Sequence, residues 1–477
     1  MLGRFIKNFA ILIAAVGVIA ATHSVGYCQT GGGGGGTGGG GGQGDTSGNT
    51  GGVEIDANGV LSSRTMTGNA AMLNRERFAA AQNVFNKQLQ KPSQMRKVSI
   101  TRLEAEIKKL IAEGKPVPAD MNYLAGMTKI SHVFYYPETK DIVIAGPAEG
   151  CFLNAGNHVV GMKSGLATLQ LQDLVVALRA FGPDGKRTSM ISCSIDPTQE
   201  GLKKFRDTYT QIANSGQFRA GMENQVIGMY RESLGMQNIT INGVSTKTNF
   251  ARVLVEADYE MKLIGIGLKK PAVRIISFIE KAKPNTVAKS SLQRWFFQPD
   301  YECVHVNEDG TAMELVGSGV KLVGEDERVG NNGERKGTGS MNRASQTYCN
   351  SFTRMYSQLA KKESLWGELK NVIDLSVVAA FIQDQDFYGQ AGWDMEVFGD
   401  ESKFAVEVFK APTQVAPVAN AVWKGQYFMA PIAGGVAIRP SEALKSNVVN
   451  KENSEKISQA KAEVTLSHLA DGQWWWD

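Results

Sequence analysis

Apolar positions along this chain alternate between a helical spacing and a period of two, and each change of period predicts a new element. Residues 70–90 and 101–113 read as helices. Thr101 and Glu104 have the spacing of a capping box at the start of the second, and Gly114 and Pro116 end it. HVFYYP (132–137) and DIVIAGP (141–147) read as two strands of a hairpin turning through Glu138–Asp141. Asp173–Phe181 is a short apolar helix. Ile191, Cys193 and Ile195 then alternate with Ser192 and Ser194, as in a strand with one buried face. In Asp196-Pro197-Thr198-Gln199, Asp196 has the place of a helix cap, Pro197 the first helical position, and Gln199 returns to the cap. The helix behind it runs to about Asn214. A helix over 222–234, a strand over 237–242 and a turn at Asn242-Gly243 follow.

The clearest amphipathic pattern is Asn249–Leu268. Phe250, Val253, Leu254, Ala257, Met261, Ile264 and Leu268 form one stripe, and Arg252, Glu256, Glu260 and Lys262 fall outside it. That predicts a helix with its charged face, Glu256 included, in water. A shorter helix is expected over 272–282. RWFFQ, ECVHV, AMELV and VKLVG predict four strands with a turn at Asp309-Gly310. Residues 324–343 are polar and Gly-rich and read as a mobile loop. Helices are expected over 344–362 and 365–383. The second is apolar nearly all round from Val372 to Ile382, which predicts burial on every side. WDMEVF, VWKGQYFMA and GGVAIRP read as short closing strands. The expected class is α+β: helices with short antiparallel strands and hairpins in one or two packed subdomains.

Composition changes this picture mainly at the ends. The chain has 477 residues, 42% hydrophobic and 21% charged, which excludes a wholly disordered or fibrous protein. A formal charge of +4 from 51 basic and 47 acidic side chains gives no general attraction for polyanions, so no nucleic-acid partner is expected. Arg4, Lys7 and the apolar run Phe9–Ala21 read as a signal peptide over 1–28, too short to span a bilayer comfortably. No later stretch is long enough to span. Gly-rich residues 29–69 read as a flexible linker. The expected remainder is an N-terminal α+β region over 70–245, a C-terminal one over 246–440, and a polar tail over 441–477. Trp474, Trp475 and Trp476 end that tail. They are candidates for partner contact, or for folding back onto the body.

Candidate chemistry is sparse. HExxH, GxSxG, an EF-hand loop and a phosphate-binding loop are all missing from the sequence. Ser458…Lys461 has SxxK spacing without its partner motifs. Asp384 and Asp386 open like a calcium loop, but Met395 stands where a bidentate carboxylate is needed. His132, His158 and His305 are not paired at zinc-ligand spacing, so no metal and no cofactor are expected. Glu149, Asp196, Glu256 and Asp258 could supply acid–base chemistry if the fold brought them together. Asp196 also reads as a cap and Glu256 as a solvated helix face. Cys151, Cys193, Cys303 and Cys349 contain no CxxC. They fit either disulfides in an exported chain or buried free thiols.

The blocks HVFYYPETKDIVIAGPAEG, LQDLVVALRAFG, ISCSIDPTQEGL, TNFARVLVEADYEMKLIGIGL, WGELKNVIDLSVVAAFI and GGVAIRP occur in this order over about residues 70–440. In them the chain resembles an uncharacterised family of exported proteins from planctomycete-type bacteria. The resemblance implies a bacterial envelope or secreted setting and carries over no activity, ligand or catalytic residue. The expectation is an exported, non-catalytic interaction or structural protein, with an unknown envelope or extracellular protein or polymer as partner. The alternative is an unrecognised extracytoplasmic hydrolase acting on peptides or glycans.

Overall fold

The computed structural model describes residues 50–65, 69–284, 287, 291–300, 302–451, 455–462, 466 and 469–477. The expected signal peptide and the linker up to residue 49 lie outside the described residues, as do His23 and His468. The class is α+β, with mixed and antiparallel sheets. Twelve helices are described: α1 Ala70–Val84, α2 Ile100–Ala112, α3 Ala119–Asn122, α4 Leu171–Ala180, α5 Gln199–Ser215, α6 Glu223–Leu234, α7 Asn249–Gly265, α8 Phe278–Lys281, α9 Arg343–Ala360, α10 Ser364–Asp384, α11 Phe387–Ala391 and α12 Lys456–Ala462.

A nine-stranded sheet contains β1 (Thr50–Ile55), β2 (Val60–Thr65), β8 (Ile191–Asp196), β9 (Gln237–Asn242), β10 (Ser291–Pro299), β13 (Val320–Val329), β14 (Arg335–Gly337), β15 (Gln414–Val415) and β18 (Ile432–Ile438). Its order is β1-β2-β15-β9-β8-β18-β10-β13-β14. A seven-stranded sheet, ordered β19-β11-β12-β4-β5-β3-β20, contains β3 (Ser93–Ser99), β4 (His132–Tyr136), β5 (Asp141–Ala148), β11 (Val304–Val306), β12 (Ala312–Leu315), β19 (Asn450–Lys451) and β20 (Trp475–Trp476). Two hairpins stand apart: β6 (Cys151–Leu153) with β7 (Val159–Gly161), and β16 (Val422–Trp423) with β17 (Tyr427–Phe428).

The layers follow from which faces are apolar. Leu202, Phe205, Tyr230 and Leu234 of α5 and α6 pack on Leu292 and Ala433 of the large sheet. On its other face lie α7, against β8 and β18, and α9, against β13. Helices α4 and α10 pack behind α7. Val133, Tyr135, Ile142 and Ile144 of the smaller sheet close the main core, with Tyr135 stacked on Phe387 at 4.7 Å. The central helices are therefore sandwiched between two sheets.

Strand β18 can occupy the middle of the large sheet because it carries Gly434-Gly435. Gly434 has φ +135°, and a Cβ there would lie 1.6 Å from the Trp295 carbonyl oxygen; one on Gly435 would lie 1.7 Å from that of Cys193. No larger residue fits between β10 and β8.

The hairpin β4–β5, the alternating strand β8, helix α10 and strand β18 match the sequence reading. Several boundaries differ. Residues 50–65 are not linker: β1 and β2 pair with each other, and β2 joins β15. The stretch 324–343 is not a loop throughout, because β13 continues to Val329 and pairs with β14. WDMEVF forms turns rather than a strand. The expected 272–282 helix shrinks to α8. Both sheets mix strands from either side of the expected 245/246 boundary.

Caps also move by a few residues. Ser99, not Thr101, caps α2. Glu104 instead accepts bonds from Trp393 Nε1 and from the Val397 and Phe398 amides. Thr198, not Asp196, caps α5, while Asp196 accepts from Arg335 at 3.0 Å.

The C-terminal segment corrects the sequence reading most. Trp474 and Trp476 are buried, and β20 pairs with Val98 and Lys97 of β3. Arg96 is fully buried and donates to the Leu89, Lys91 and Ala125 carbonyls and to both Asp477 carboxylate oxygens, at 2.8 and 3.2 Å. Its guanidinium lies 5.3 Å from the Trp475 ring. Apolar area on three tryptophans and a buried cation that needs an anion both favour folding back over staying in solvent.

Candidate functional site

The titratable groups converge on α7. The pattern predicts one buried stripe, but almost every side chain of this helix is buried, including Glu256, Asp258, Glu260 and Lys262. Glu256 is therefore not on a solvated face. The helix lies between the large sheet and α4 and α10, so its polar face meets protein instead of water.

On the sheet side, Asp258 and Lys262 complete the backbone bonding. β18 pairs with β8 only as far as Ser194. Beyond that point the Ile195 N–H donates to Asp258 Oδ2 at 2.9 Å, and the Ile195 carbonyl accepts from Lys262 Nζ at 2.6 Å. Lys262 Nζ lies 2.9 Å from Asp258 Oδ1 and also reaches the Gly434 carbonyl at 3.4 Å. Burial pushes the Asp258 carboxyl up to about 7, with Lys262 pulling the other way. At the end of α7, Glu260 pairs with Lys269 at 2.6 Å.

On the opposite side an array of six polar side chains runs between elements. Asp173 of α4 accepts from Asn249 Nδ2 at 2.9 and 3.2 Å. Asn249 Oδ1 accepts from Arg252 at 2.8 and 3.1 Å. Arg252 donates to Glu256 Oε2 at 3.2 Å. Glu256 Oε1 faces His158 Nε2 at 4.0 Å, and His158 Nδ1 meets Glu368 Oε2 of α10 at 2.9 Å. Two covers lie over the array. The Phe409 ring sits 5.8 Å from the Arg252 guanidinium. Gly52 of β1, at φ +88°, comes so close that a Cβ there would lie 3.3 Å from Glu256 Oε1.

Burial disfavours the His158 imidazolium, but the Glu368 and Glu256 carboxylates outweigh it and hold the ring above its ordinary value. Burial works against the Glu368 carboxylate as well; the His158 contact and Arg252 hold it below its ordinary value. Asp173 has the Asn249 amide as its hydrogen-bond partner. Burial pushes its carboxyl up to about 7, with Glu368 adding to the rise.

The sequence candidates separate. Glu149 accepts from the Lys163 and Ser164 amides, Asp196 binds Arg335, and only Glu256 belongs to the array. His132 and His305 each stand 4.0 Å from Glu314 across neighbouring strands, whereas His158 meets Glu368 and Glu256. Among the described residues no group of three His, Cys, Asp or Glu is placed to hold a metal ion. Asp386 caps α11. Lys461 donates to Thr311 Oγ1 at 2.5 Å and sits over the Tyr136 ring. The four cysteines of the body are buried free thiols. Arg252 and Glu256 have the spacing of an i,i+4 pair, which the sequence shows. Nothing in the sequence joins Asp173, His158 and Glu368, which come from separate elements.

All of α7 and all of β9 lie in a segment that other proteins share. Residues 193–278 match the model of a family described as protein of unknown function (DUF1598). The DUF1598 segment supplies Asn249, Arg252 and Glu256 of the array and both members of the Asp258–Lys262 pair. Asp173, His158 and Glu368 come from outside it. No curated protein and no solved structure matches the chain. No helix of the described residues is long and apolar enough to cross a membrane.

Proposed function

We propose that this chain is an exported, non-catalytic interaction or structural protein of a bacterial envelope or its surroundings. One observation carries the non-catalytic part: the strongest acid–base groups are turned inward and bonded to one another. Asp173, Glu256, Asp258, Lys262 and Glu368 are buried and act as ties between α4, α7, α10 and β8. Two surface depressions, of about 720 and 510 Å³, are lined by Glu280, Lys281, Lys283 and Lys424 and by Arg206, Asp207, Thr210 and Gln211 among others. Neither contains a nucleophile beside a histidine base. Export rests on Arg4, Lys7 and the apolar run Phe9–Ala21.

A hydrolase is the second reading, and His158 is what favours it. A ring oriented through Nδ1 by one carboxylate, with Nε2 aimed elsewhere, has the arrangement of a general base. Here Nε2 is aimed at Glu256, inside the packed body.

The test is recovery of the native protein from its own cells, followed by N-terminal sequencing and cross-linking in the envelope fraction. The expected product starts after about Ala21 and cross-links to an envelope or extracellular protein or polymer. Cytosolic recovery with Met1 or Leu2 intact overturns export. Turnover of a peptide or glycan that His158→Gln abolishes overturns the non-catalytic reading.

A further inference from the structure

Helix α1 contains no buried residue. It contacts the β6–β7 hairpin, and near its end the Gln82 carbonyl accepts from Gln90 Nε2 at 2.9 Å. Phe78 packs edge-on against Phe152 with centroids 5.3 Å apart, Asn74 Oδ1 accepts from the Ala155 amide at 2.6 Å, and Arg77 donates to the Asn154 carbonyl at 2.5 Å and to Asn157 Oδ1 at 3.1 Å. Helix and hairpin tip thus form one flap, rooted where Cys151 and Val159 of the hairpin strands are buried in the main core. At its base the flap is tied by backbone bonds, such as Thr168 N–H to the Val159 carbonyl at 2.9 Å. At the hairpin tip it reaches α10 through His158 to Glu368 and through Asn154 Nδ2 to Ser364 Oγ at 3.5 Å.

We propose that His158 is a proton-operated latch that holds the α1–hairpin flap against α7 and α10. Protonated, the ring is a cation between two carboxylates from two different helices, donating through Nδ1 to Glu368 and facing Glu256 with Nε2. The charged groups around it are Glu368 from α10, Glu256 and Arg252 from α7, and, beyond Asn249, Asp173 from α4. Once His158 loses its proton, Arg252 is left as the permanent cation among three acidic side chains in a buried setting. The neutral ring can still donate through Nδ1 to Glu368, but the charge that held it between two carboxylates is gone, and the tie at the tip of the flap is weaker. Asn154–Ser364, a long bond between neutral groups, remains.

His158 sits above its ordinary value in the closed state and returns to about 6.5 when the flap is free. The latch is therefore at full strength below about pH 6.5 and weakens as pH rises through the closed-state value. Glu368, held low, weakens it only in acid, as pH falls through its own depressed value.

The experiment is hydrogen exchange on the full chain between about pH 5.5 and 9, with each peptide normalised to the unfolded chain at the same pH. Protection over residues 153–158 and 70–84 is expected to fall about tenfold or more as pH rises, while β8 and α7 stay protected. His158→Gln is expected to remove the pH dependence from those peptides. Glu368→Gln keeps the ring but removes its main carboxylate, and is expected to move the opening midpoint down by about one pH unit. It also serves if His158→Gln does not fold. Protection at 153–158 that ignores pH, a glutamine variant that keeps the wild-type profile, or simultaneous loss throughout the body would each overturn the latch. None of these readouts depends on a partner or on turnover.

Discussion

Helices α5 and α7 have the same kind of sequence pattern and opposite surroundings. In α5, Leu202, Phe205, Tyr209 and Ile212 face the sheet, and Lys203, Lys204, Asp207 and Gln211 stand in water. In α7 an equally regular stripe faces the sheet, yet Glu256, Asp258, Glu260 and Lys262 are buried too. The difference lies outside both helices. α5 covers an outer face, whereas α7 has a sheet on one side and α4 and α10 on the other. An amphipathic pattern shows which face is apolar; it does not show that the polar face is wet. Where the polar face is covered, charges must find partners, and in α7 they do so in pairs and chains.

Replacing one member of the Asp258–Lys262 pair should separate the helices most sharply. Lys262→Met leaves a buried carboxylate and an unmet Ile195 carbonyl, and is expected to cost about 3–5 kcal/mol in urea unfolding. Adding Asp258→Asn should restore much of that; if it restores nothing, the pair is not the reason. Glu256→Ala should cost about 1–3 kcal/mol by removing the Arg252 acceptor. The matching change on α5, Lys204→Ala, should stay within about 0.5 kcal/mol. Equal costs for these two would erase the distinction between the helices.

A pH titration of stability gives a smaller but more specific effect. Asp173 is pushed from its ordinary range up to about 7, so the folded state holds a proton that the unfolded chain has released. Its contribution is complete below about pH 3.8 and is lost as pH rises through about 7. The wild type should weaken across that window. Asp173→Asn should be flatter there while keeping the share that belongs to Asp258. An unchanged slope in the variant would show that Asp173 is already ionised in the fold.

Much of the fold was legible because apolar periodicity is local. Helix α10, strand β8 and the β4–β5 hairpin can each be read within about twenty residues. The site was not legible, because it is made of meetings. Asp173, Asn249 and Glu368 are ordinary residues until three helices bring them together, and His158 looked like a single histidine without a partner. Trp474–Trp476 stayed open between partner contact and folding back for a similar reason. Polar neighbours suggested an unattached end, but the matching anion-seeking residue, Arg96, lies at the other end of the chain. The 324–343 stretch looked like a loop because β13 and β14 carry charged side chains at an outer edge of the sheet, where water can reach them.

The interleaving of strands also sets the order in which this protein can form. Val98 pairs with Trp475, His132 with Glu314, and Ile191 with Ile438, while β2 meets β15 near the other end of the chain. Neither sheet can close around a nucleus made from consecutive residues alone. Hairpins such as β4–β5 can appear early, but loop-closure entropy must be overcome before the distant pairings contribute. The chain is therefore a slow folder by topology. A ribosome-bound or truncated piece ending before β18 would expose the edges of β8 and β10, and would be held open for chaperones or for neighbouring copies of itself.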